Sequence, residues 1–130
     1  MNDATDYRLF AVRVFVTDWE RALGFYTETL GMATTFRGDE LGWAQLDTGA
    51  AQLALERADS RAVEEGLVGR FVGVSLMVDD IDKTYETLRA RGVEFLGPPE
   101  RMPWGGVLAQ LRDPDGNVLT LLGSPREGAA

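Results

Sequence analysis

The chain has 130 residues, 45% hydrophobic and 26% charged, with a formal charge of −8 at pH 7 and neither cysteine nor histidine. Without cysteine there is no disulfide, thiolate metal site or thiol nucleophile, and without histidine the commonest general base and metal ligand are gone. The length suits one domain burying roughly two-thirds of its unfolded surface, the charge opposes phosphate backbones and anionic lipid, and no apolar run approaches the roughly 20 residues of a membrane span.

Residues 10–16 alternate as a half-buried strand, with Val12, Val14 and Val16 on one face and Ala11, Arg13 and Phe15 on the other. Thr17-Asp18-Trp19-Glu20 carries a capping-box pattern in which Thr17 caps the helix start and Glu20 reaches back to it. Trp19, Leu23, Tyr26 and Leu30 form the apolar stripe of the helix, which Gly31 ends. Short strands are predicted over 33–36, 42–46 and 52–56, separated by Arg37-Gly38-Asp39-Glu40 and Asp47-Thr48-Gly49-Ala50. Residues 57–71 form a polar linker with a short helical turn near 61–65.

A second strand begins at 72–78, and Asp79 or Asp80 caps a helix with the stripe Ile81, Tyr85 and Leu88, ending at Gly92. Strands follow at 93–96, 107–112 and 118–122, with a stiff Pro98-Pro99 loop and, at Asp113-Pro114-Asp115-Gly116, a type I turn. The tail from 123 is expected to fray. Two carboxylate-rich stretches are given no catalytic role: Glu64-Glu65 lies in the solvated linker, and Asp79-Asp80-Asp82 sits where a helix N-terminus favours negative charge.

The halves repeat one another. Val12 to Asp18 returns as Val74 to Asp80, Ala44-Gln45-Leu46 as Ala109-Gln110-Leu111, and Leu53-Ala54-Leu55 as Leu119-Thr120-Leu121. The prediction is a single α+β domain over 1–130 built from two tandem βαβββ modules, about 8–56 and 72–122, with function sought between them.

The repeated unit, Asp113-Pro114-Asp115-Gly116-Asn117 before the last strand, and Asp18-x-Glu20-Arg21-Ala22-x-x-Phe25-Tyr26-x-x-x-Leu30-Gly31 after the first together resemble the vicinal oxygen chelate superfamily over residues 8–122. That superfamily groups glyoxalase I, bleomycin-resistance proteins, fosfomycin-resistance enzymes and extradiol dioxygenases. The resemblance implies two curled mixed sheets around a cavity, with helices on the outer face. It also implies a divalent metal held from four strand positions, which by motif distance are Ala11, Ala54, Gly73 and Thr120 here. None of the four is a normal metal ligand, so no metal or other cofactor is expected at the usual site.

If those positions face the cavity, strand alternation puts Arg13, Phe15, Gln52, Glu56, Ser75, Met77, Val118 and Leu122 beside them. The candidate ligand-binding residues are therefore Arg13, Phe15, Trp43, Gln45, Gln52, Glu56, Ser75, Met77, Gln110 and, from its Pro/Gly loop, Trp104. An apolar wall with a few orienting polar groups is the usual makeup of a small-molecule site. Arg13 needs a partner there, either Glu56 or an anionic or carbonyl group of a ligand. Trp43 and Trp104 either fill core volume or stack on a flat ligand, and Met77 is a gap filler before it is a binding determinant.

The leading expectation is a metal-independent, cytoplasmic binding protein for a partly aromatic small molecule, resembling the bleomycin-resistance branch. That branch implies a homodimer with ligand at the interface. The alternative is an enzyme, a lyase, isomerase or dioxygenase relative with an atypical divalent metal or acid–base chemistry around Glu56. A catalytically silent partner domain is the third.

Overall fold

Each half of the repeat builds its own mixed sheet, and the two sheets do not close on one another. The computed structural model describes residues 6–123, so the tail beyond Gly123 lies outside the described residues. In the first module β1 (Ala11–Val16) runs parallel to β4 (Gln52–Arg57), and β3 (Trp43–Asp47) and β2 (Thr34–Gly38) continue the sheet antiparallel, in the order β1-β4-β3-β2. The second module repeats the plan as β5-β9-β8-β6, from β5 (Phe71–Val78), β9 (Val118–Gly123), β8 (Val107–Arg112) and β6 (Glu94–Phe95). The connecting helices are α1 (Trp19–Gly24), α2 (Ser60–Glu64) in the linker and α3 (Ile81–Ala90).

The repeat and its element order match the sequence expectation, and the differences are local. The strand β7 (Glu100–Arg101), which pairs with β8, falls in the stretch assigned to a stiff loop. The start of α1 is capped by Asp18, whose Oδ1 accepts from the Arg21 amide at 3.2 Å, and not by Thr17. The reason is a longer-range competitor: the Thr17 hydroxyl and amide both donate to the carboxylate of Asp115. Replacing Asp18 with alanine should therefore lower stability by about 1 kcal/mol, the usual value of an N-cap. An unchanged urea midpoint would rule that cap out.

Beyond Gly24 the helix widens into a π-helical stretch, Phe25–Thr29, with Leu30 N–H donating to Phe25 C=O at 2.8 Å. Within it Tyr26 is fully buried. Gly31 then takes φ +80°, the left-handed conformation that ends a helix without a Cβ clash.

Alternation sends one face of each sheet into a common core. Val14, Val16, Leu53 and Leu55 pack with Trp19, Leu23 and Tyr26, and the same buried cluster continues through Leu111, Leu119, Leu121, Ile81 and Leu88. Val12, Val74, Leu76 and Val78 pack against this core but are only half-buried, because they also border a cleft between the modules.

A buried polar latch joins the modules. Gly116 N–H closes the turn onto Asp113 C=O at 2.9 Å. Asn117, fully buried, donates from Nδ2 to Phe15 C=O and to Asp113 Oδ2, both at 2.9 Å, while its Oδ1 accepts from the amides of Gly69 at 2.8 Å and Arg70 at 3.3 Å. The Tyr26 hydroxyl donates to the same Asp113 Oδ2 at 2.7 Å. No buried side-chain polar atom among the described residues lacks a partner.

Candidate functional site

The faces of the sheets turned away from the core carry most of the candidate residues. Register aligns Arg13, Ala54 and Gln45 in one cross-strand row and Phe15, Glu56 and Trp43 in the next. Arg13 Nε donates to Glu56 Oε1 at 2.8 Å, so the partner left open by the sequence is Glu56. That hydrogen bond, and then the Glu56 charge, hold the guanidinium above its ordinary value. The Arg13 side chain is 55% exposed, and the pair remains within reach of a ligand.

Below this pair the Phe15 ring lies 5.1 Å from the guanidinium carbon. Phe15 is buried, because Val68 of the linker bridges to its backbone and the ring lies beneath Arg13. Trp43 Nε1 donates to Gln45 Oε1 at 2.9 Å, fixing the indole and the amide relative to one another. Gln52 is engaged by the Thr35 hydroxyl. Phe36, missed by the sequence reasoning, pairs with Gln45 and extends the same row with an exposed ring. Its position at the end of a short alternating segment was the signal available.

On the second sheet Ser75, Thr120 and Gln110 share a row, and Met77 lies in the next with Leu122 and Leu108. Met77 is exposed. Trp104 stands apart on the hairpin between β7 and β8, with its indole over Gly106, where an added Cβ would come within 1.9 Å of the ring. Thus Arg13, Phe15, Trp43, Gln45 and Glu56 converge, Gln52 flanks them, Ser75, Met77 and Gln110 form a second patch, and Trp104 joins neither row.

The four metal positions do not fit a divalent cation. Ala11 and Ala54 offer methyl groups, Gly73 offers hydrogen, and Thr120 offers one neutral hydroxyl that is itself buried. No cluster of three or more His, Cys, Asp or Glu groups suited to a metal occurs among the described residues. The repeat is also imperfect here. Pairing jumps from Phe71–Val118 to Ser75–Thr120, and Gly73 occupies the resulting bulge with φ +81°, a backbone region that favours glycine.

A separate cavity of about 590 Å³ lies at the junction of the modules. Gln52, Ser75 and Met77 border it, whereas Arg13, Phe15, Trp43, Gln45, Glu56 and Gln110 do not.

Comparison with known proteins agrees with the architecture. The Bacillus subtilis protein YetH is 34% identical over 113 residues, covering 85% of this chain and 92% of its own length. A bleomycin resistance protein from Klebsiella pneumoniae is 30% identical over 112 residues, covering 81% and 83%. Among solved structures, a superfamily member from Sphaerobacter thermophilus aligns with a TM-score of 0.78 at 34% identity, covering 92% of this chain and 98% of that one. TnmS3, an antibiotic-binding protein from Streptomyces sp. CB03234, aligns with a TM-score of 0.72 at 31% identity, covering 95% and 99%. With a family profile matching residues 8–121 and both modules folded on the same plan, the chain belongs to the Glyoxalase/Bleomycin resistance protein/Dioxygenase superfamily.

Proposed function

We propose that this protein binds a small, partly aromatic molecule without a metal, on the outward sheet face around Arg13, Phe15, Trp43, Gln45 and Glu56. The observation that carries this is the Arg13–Glu56 pair set between Phe15 and the Trp43–Gln45 pair, at the place where the usual metal donors are replaced by Ala11 and Ala54. Such a face offers a π surface with a few orienting polar groups. Its similarity to an antibiotic-binding protein and a bleomycin resistance protein supports the same ligand class. A homodimer, in which the second copy covers the exposed Phe36, Phe71 and Met77, completes the site. Glu56 as a general base has less behind it, since its carboxylate already engages Arg13.

The test is a tryptophan-fluorescence titration with bleomycin and with planar aromatic antibiotics. Arg13→Ala and Trp43→Ala should each weaken binding about tenfold or more, equivalent to about 1.4 kcal/mol. Unchanged affinity in both would place the site elsewhere. Tight stoichiometric uptake of Mn²⁺, Fe²⁺, Ni²⁺ or Zn²⁺ by the native protein would overturn metal independence.

A further inference from the structure

The cavity at the module junction has different chemistry from the sheet face. Its volume, about 590 Å³, is that of a small-molecule site, for which roughly 300–1,000 Å³ is usual. Consecutive residues Val74 to Val78 all border it, so β5 meets the cleft along its free edge and not through one face. The lining also takes in Val12 and Leu53 of the first sheet, with Leu30 and Leu88 from the helical segments. Interiors rarely leave voids larger than a water molecule. Here the turn residues Ala50 and Ala51 are too small to fill the opening.

The polar groups define the ligand further. Among the described residues the lining contains no aromatic ring and no lysine or arginine, and Asp47 is its single charged residue. The Thr48 hydroxyl is committed to Ala51 C=O and that of Thr84 to Asp80 C=O. Asp47 accepts from the Gly49 amide through Oδ1 at 2.9 Å, and the residue is exposed where it borders the cleft. A carboxylate at the mouth of an aliphatic cleft, on a chain of net charge −8, favours a cationic head and repels an anionic one.

We infer that this cleft is a second ligand site, which takes an aliphatic chain bearing a primary amine, with the chain along β5 and the ammonium at Asp47. The sheet-face residues Arg13, Phe15 and Trp43 take no part in this site, although Met77, on the proposed dimer surface, borders it.

Isothermal titration of the full chain with n-decylamine and with sodium decanoate, both below their micellar concentrations, tests it. The amine should bind one to one and about tenfold or more tighter than decanoate. Asp47→Asn should abolish most of that preference. Ala51→Trp, which fills the opening, should weaken the amine at least about tenfold, as should Val74→Trp on the facing wall if the first variant folds poorly. Arg13→Ala should leave the amine affinity unchanged. Equal binding of amine and decanoate, non-saturable uptake, or unchanged amine affinity in the filled variants would overturn the assignment. So would loss of amine binding as protein concentration drives self-association, because a second copy would then be the occupant.

Discussion

Asn117→Ala should destabilise the protein by about 3 kcal/mol or more, a large part of the roughly 5–15 kcal/mol that holds such a domain together. The side chain is fully buried and makes four hydrogen bonds, two of them to the linker amides of Gly69 and Arg70 and one to Phe15 C=O in the other module. Alanine takes the partner from Phe15 C=O in the buried interior and from the part-buried amides of Gly69 and Arg70, and an orphaned buried group costs about 1–3 kcal/mol. Tyr26 still serves Asp113, which limits the damage on that side. Urea unfolding followed by circular dichroism measures the loss, and a change below about 1 kcal/mol would mean that the latch does not hold the modules together. Asn117→Asp makes a useful comparison. It keeps the acceptor for Gly69 and Arg70 but sets a second carboxylate against Asp113.

The second large effect is alkaline. Burial, and then the neighbouring Asp113 charge, hold the Tyr26 hydroxyl well above its ordinary value of 10.0. The folded state therefore keeps this proton after the unfolded chain has released it. Above pH 10 the native state binds more protons than the unfolded one, so stability must fall as pH rises, by up to about 1.4 kcal/mol per pH unit for one proton. Tyr26→Phe removes that dependence while giving up one hydrogen bond worth about 1 kcal/mol. The variant should be less stable than the parent at pH 7, flatter between pH 10 and 11, and the two curves should converge or cross. Identical slopes in denaturant titrations across that range would sink the assignment.

Asp113 acts in the same sense at acid pH. Burial raises its carboxyl above the ordinary 3.8, against the lowering pull of the hydrogen bonds from Asn117 and Tyr26. The folded state again holds the extra proton, so this group's contribution falls as pH rises from 3.8 through its folded value.

Much of the fold was legible because it is set by neighbours in sequence. The alternation of Val12, Val14 and Val16 with Arg13 and Phe15, the helical stripe of Trp19, Leu23 and Tyr26, the glycines at 31 and 92 and the Asp113–Gly116 turn are short-range patterns, and each reappears in the structure. The duplication itself predicted two modules of one plan. The outward position of Arg13, Gln45 and Glu56 followed from the same alternation.

What the alternation left open depended on distance. Pairing of Arg13 with Glu56 joins residues 43 apart, and period-two spacing gives a face without saying whether the partner there is protein or ligand. Thr17 was a sound local cap that lost to Asp115, 98 positions away. The bulge at Gly73 broke the expected equivalence with Ala11, because register belongs to the pairing of β5 with β9 and not to either strand alone. In the sequence Asn117 was only the residue between the Asp113–Gly116 turn and the last strand. Only the tertiary fold made it the residue that ties Phe15, the linker and Asp113 together, since a buried amide acquires its value from groups that the chain brings back from 102 positions away. The sequence thus set the two modules and their faces, while long-range register decided how they lock and where a cleft stays open between them.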